Sequence, residues 1–144
     1  MSIIDGLVAG LIAGIIMIAV SEIGYRLGLI KGNLILIDGA FAWRMISGKN
    51  NTVSIYILGI LIHLITSLVF GLVYAILTRL LEFESRSVMP IAVYIFLLWL
   101  AMLFVALPIA GQCILGKKAG NSVWLEQLFL HAVFGVAFWW ALGF

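Results

Sequence analysis

Apolar residues run almost without interruption over four stretches, roughly 3–30, 53–81, 89–115 and 123–144, and short segments between them carry nearly all the charge. Each stretch reaches or exceeds the ~20 residues that cross a ~30 Å hydrocarbon core at ~1.5 Å per residue. None shows the alternating pattern of about ten residues that builds a membrane barrel. The pattern predicts an all-α polytopic transmembrane four-helix bundle, a single membrane domain over 1–144. Between the first two spans, residues 31–52 are less apolar. Phe41, Trp43, Met45 and Ile46 give them the spacing of a short helix lying in the membrane interface, with Asp38 as its expected cap and Gly48 as its stop.

Small residues recur at four-residue intervals inside the spans. Gly6, Gly10 and Gly14 share one face of the first, Gly59, His63, Ser67, Gly71 and Ala75 one face of the second, and Gln127, His131 and Gly135 one face of the fourth. Such faces let a neighbouring backbone approach closely, so they are the expected packing stripes. Pro90 stands where a first helical turn loses no hydrogen bond, whereas Pro108 lies inside the third stretch and predicts a kink.

The chain is 65% hydrophobic with 14 formal charges (8 Lys and Arg, 6 Asp and Glu), too few to coat a water-soluble globule of 144 residues. Its net charge of +2 is spread over the loops, which gives no basic stripe for nucleic acid. The expected surroundings are a lipid bilayer and other membrane subunits or further copies of the chain. The single cysteine, Cys113, excludes an intrachain disulfide, a CxxC pair and a thiolate zinc site. The N-terminal stretch has Asp5 where a secretory signal carries Lys or Arg, and it is too long for one, so it reads as the first span. The expected location is a bacterial or archaeal cytoplasmic membrane.

The two histidines, His63 and His131, carry the clearest hint of chemistry. Each lies about ten residues inside a span, and the two spans run in the same direction, so both rings fall near the bilayer middle. An ionisable side chain at that depth is costly unless it is paired, hydrated or bound to something. Three readings follow: two axial nitrogens for haem b, a site for another metal or for protons, or a structural pair bonded to backbone or hydroxyl groups. Glu22, in the same half of the bilayer, either completes a two-histidine, one-carboxylate metal site or pairs with Arg26 one turn later. No GxGxxG, Walker, GxSxG or HExxH pattern occurs, so no catalytic residue and no enzymatic activity are expected.

The segments GLVAGLIAG, IHLITSLVFGLVYAIL, LLWLAMLFVALPIAG followed by LGKKAG, and LHAVFGVAFW cover most of the membrane-embedded chain. In this order they resemble an uncharacterised family of small bacterial four-helix membrane proteins. The resemblance implies that a histidine at the positions of His63 and His131 is a family feature. It implies an architecture and no activity.

Three function classes follow: a subunit that packs in or anchors a larger, respiratory or redox membrane complex; a haem b electron carrier using His63 and His131; and a small proton or metal-ion transporter. Orientation rests on loop charge. Arg26, Lys31, Arg44, Lys49, Lys117 and Lys118 flank the first and third connections, against Arg79 and Arg86 at the second, which makes the first and third cytoplasmic and both termini non-cytoplasmic. A protease applied to intact spheroplasts should therefore remove a tag fused to either terminus, and protection of both tags would reverse the orientation.

Overall fold

The computed structural model describes residues 1–46 and 52–144, and side chains for 1–43 and 52–144. Its helices are α1 (Ile3–Arg26), α2 (Leu34–Ile46), α3 (Thr52–Leu80), α4 (Val88–Ile109) and α5 (Val123–Ala141). All but α2 are long and apolar enough to cross a bilayer. Large apolar side chains such as Ile15, Ile65, Phe96 and Phe129 point outward in every long helix, as lipid rather than water requires. The chain is an integral membrane protein folded as a helical bundle.

The helix ends fall where capping chemistry places them. Ser2 accepts a hydrogen bond from the Asp5 N–H while the Asp5 carboxylate accepts one from the Ser2 N–H, closing a reciprocal cap on α1. The spans expected to reach residues 30 and 115 are shorter than that. In α1 the Leu29 N–H returns to the Gly24 carbonyl around Gly28 at φ +72°, and in α4 the Gln112 N–H returns to Leu107 around Gly111 at φ +78°. Both are left-handed glycine endings, which close the last carbonyls inside a still-apolar stretch. Asp38 is not the cap of α2. That role falls to Asn33, whose side-chain oxygen accepts from the Leu36 N–H, so the helix starts earlier and Asp38 sits inside it. The side chains of Arg44, Met45 and Ile46, and Gly48 as the expected stop, lie outside the described residues.

Packing begins with the glycine faces. A Cβ placed on Gly6 or Gly10 would strike the backbone of Gly71 or Ser67, so α1 and α3 meet backbone to backbone. Gly59 meets the Ile35 carbonyl and Gly39 the Ile55 carbonyl, which seats α2 equally closely on α3. On its other side α1 carries α5, and α5 carries α4, with Gly135 against Ile95. The two histidine-bearing helices, α3 and α5, thus both lean on α1. Helices α3 and α4 are hairpin partners but do not pack along their lengths. They are tied near the turn by the Tyr94 hydroxyl, which donates to the Phe70 carbonyl at 2.8 Å, and by the fully buried Tyr74 ring against Tyr94 and Phe138.

The kink expected at Pro108 takes the form of a widened turn just before it. Residues Met102–Ala106 are π-helical, the Leu107 N–H bonding five residues back to Met102. A proline ring crowds the carbonyl four residues earlier, and the wider turn relieves that clash. Gly71→Ala should cost about 1–3 kcal/mol of stability, because backbone cannot yield to the added methyl as a side chain can. Gly32→Ala, whose Cβ would meet its nearest side-chain atom at 3.5 Å, should cost much less. Thermal unfolding in dodecyl maltoside followed by circular dichroism compares the two.

Candidate functional site

His63 is the one large member of the small-residue row on α3, and its ring fits where Gly14 of α1 leaves room beside Ser67. It is 7% exposed. Its Nδ1 lies 3.1 Å from the Asp38 carboxylate, delivered by the second turn of α2. A carboxylate can only accept, so Nδ1 carries the hydrogen and the neutral ring holds its lone pair on Nε2. That Nε2 is buried and has no hydrogen-bond partner among the described residues.

His131 on α5 is 7% exposed as well. Its Nδ1 lies 2.8 Å from the backbone carbonyl of Gln127, one turn earlier. A carbonyl also only accepts, so the neutral ring again presents its lone pair at Nε2. Both rings are therefore held in the same tautomer by an oxygen behind them, the arrangement that orients imidazoles toward a ligand.

Both rings line one cavity of about 340 Å³. It fills the gap between α3 and α4 below the Tyr94–Phe70 link, and α2 closes its far end with Leu34, Ile37 and Phe41. Among the described residues its polar members are Asp38, His63, Thr66, Ser67 and His131, of which Asp38 carries a formal charge. The rest of the wall is aliphatic and aromatic. The cavity is partly open, and Val105 and Ile109 of its wall are exposed at the bundle surface. A second, shallower groove of about 550 Å³ runs outside α4 and α5 between Trp99 and Trp139, and His131 lines it too.

Glu22 does not join the histidines. Its carboxylate accepts from Arg26 Nε at 2.7 Å and from the Asn33 amide at 2.9 Å, with the Tyr56 hydroxyl beside it at 3.4 Å. Among the described residues no three His, Cys, Asp or Glu side chains gather as a metal site, so the expected set of His63, His131 and Glu22 is not formed. Glu22 instead locks the start of α2 to the end of α1. Sequence spacing did not single out Asp38 as the partner of His63, 25 residues away. Glu126 and Gln127 have structural positions. Glu126 accepts from the Lys31 and Gly32 N–H groups and from the Ser122 hydroxyl, stapling the α1–α2 connection to α5. Gln127 is fully buried, and neither atom of its side-chain amide has a hydrogen-bond partner. No protein-family model, curated protein or solved structure matches the chain.

Gln127→Leu tests that buried amide. An unpaired buried polar group costs about 1–3 kcal/mol, so the apolar variant should melt at or above the wild-type temperature. A lower melting temperature would mean that the amide is satisfied by a bound group.

Proposed function

We propose that this chain is a small integral membrane subunit that holds a membrane-embedded group between His63 and His131 and works within a larger membrane assembly of redox type. The observation that carries this reading is the pair of imidazole rings lining one apolar cavity, each with its Nδ1 bonded to an oxygen. A buried polar atom without a partner is costly, and a bound group is the usual reason for keeping one. The subunit role is supported by the connections between the helices, which are too short to hold a catalytic domain of their own.

Haem b is the second reading, because two neutral imidazoles with hydrogen-bonded Nδ1 atoms are the donor set its iron takes axially. When bound, it would supply one-electron redox chemistry, and His63 and His131 would hold it. The described wall suits the macrocycle better than its propionates, since the formal charge it carries is the Asp38 carboxylate. A transporter using Glu22 with the histidines finds little support in a carboxylate already committed to Arg26, Asn33 and Tyr56.

Purification in mild detergent tests the proposal, using an absorption spectrum, elemental analysis, lipid-phase extraction and native electrophoresis. A bound group should be present in the wild type and lost from both His63→Ala and His131→Ala. A monomer free of colour, metal, extractable ligand and partner would overturn it.

A further inference from the structure

Resting on that reading of the cavity, we infer that the group it takes is a lipid-soluble quinol: an apolar ring with hydroxyl donors, bound through the Nε2 atoms of His63 and His131. Three observations meet here. The first is polarity. Both Nδ1 atoms face oxygens that only accept, so each ring in its neutral form keeps an acceptor and no donor at Nε2. His63 Nε2 is buried and without a partner, so a ligand that donates gains the bond this atom lacks, whereas a carbonyl oxygen meets another lone pair.

The second is shape and material. Phe41, Phe70 and Phe134 stand around the histidines and suit the faces of a flat ring. The third is access. The cavity is partly open, and its wall residues Val105 and Ile109 are exposed and apolar, which suits an isoprenoid or alkyl tail passing into the acyl chains. Among the described side chains no cation lines the cavity, so none of them offers anionic headgroups or carboxylated cofactors a counter-charge. A quinol needs none.

Asp38 is a positioning residue in this scheme. By holding the hydrogen on His63 Nδ1 it decides that Nε2 accepts. Without the carboxylate the hydrogen is free to move to Nε2, and the ring then donates, which suits the oxidised quinone.

The test uses the full chain in phosphatidylcholine nanodiscs at pH 8 under anaerobic conditions. Nitrogen-15 histidine spectra should show both rings neutral, protonated on Nδ1, with both Nε2 signals moving when decylubiquinol is added. Decylubiquinol should bind at least about tenfold more tightly than decylubiquinone or the dimethyl ether of the quinol, one hydrogen bond being worth about that factor. Asp38→Leu should shrink or reverse the preference for quinol, and His131→Phe should lower quinol affinity at least about tenfold. Should the variants fail to fold, the wild-type spectra and the ether comparison still decide. Equal binding of quinol, quinone and ether, or a proton on Nε2 of either ring, overturns the inference. If no quinol binds and the purified protein carries haem or metal, the inference falls and the cofactor-site reading stands. If no quinol binds and it carries nothing, both fall.

Discussion

Backbone contact between α1 and α3 is the constraint from which the rest of the bundle follows. Lipid gives two apolar helices no reason to associate, because acyl chains solvate leucine as well as leucine does. Close packing supplies the attraction instead, and it is available where Gly6 and Gly10 face Ser67 and Gly71. With one flank of α1 taken by α3, α5 occupies another, and α4 rests on α5. The fourth possible seam, between α3 and α4, is left without glycines to close it. The cavity is therefore a by-product of where the small residues are.

Within that gap, α2 has two tasks. Ile35 and Gly39 sit on the backbone of α3, while Asp38 and Phe41 turn toward the cavity. Its starting point is fixed by the cap on Asn33 and by the Glu22 cluster, which also holds Asn33. A chain of hydrogen bonds thus runs from Arg26 through Glu22 and Asn33 to the first turn of the helix that carries Asp38. The carboxylate behind His63 is placed by polar residues at the bundle's edge. The tautomer at the centre depends on them.

The membrane class and the four long helices were legible in the sequence because hydropathy is a bulk property of some twenty residues at a time. Ends were less legible. Gly28 and Gly111 stop their helices inside apolar stretches, where a glycine ending looks like one more packing glycine. Asn33 and Asp38 are equally good caps by residue type, and only the contact with His63 shows which one was free to cap. Both histidines could be singled out from their depth alone, and the structure brings them to one cavity. Asp38 could not, since nothing in a spacing of 25 residues announces a hydrogen bond. A lone acid and a lone histidine in neighbouring apolar segments were the available signal. The fully buried Gln127 had no such signal, because its nearness to a loop resembles that of any interfacial amide.

His131 borders the inner cavity on one side and the outer groove of α4 and α5 on the other. The imidazole is thus a partition one ring thick between the middle of the bundle and its periphery. Its Nδ1 bond to the Gln127 carbonyl is the latch that keeps the partition in place. Whatever presses into the groove from the lipid side touches the same ring that touches the contents of the cavity.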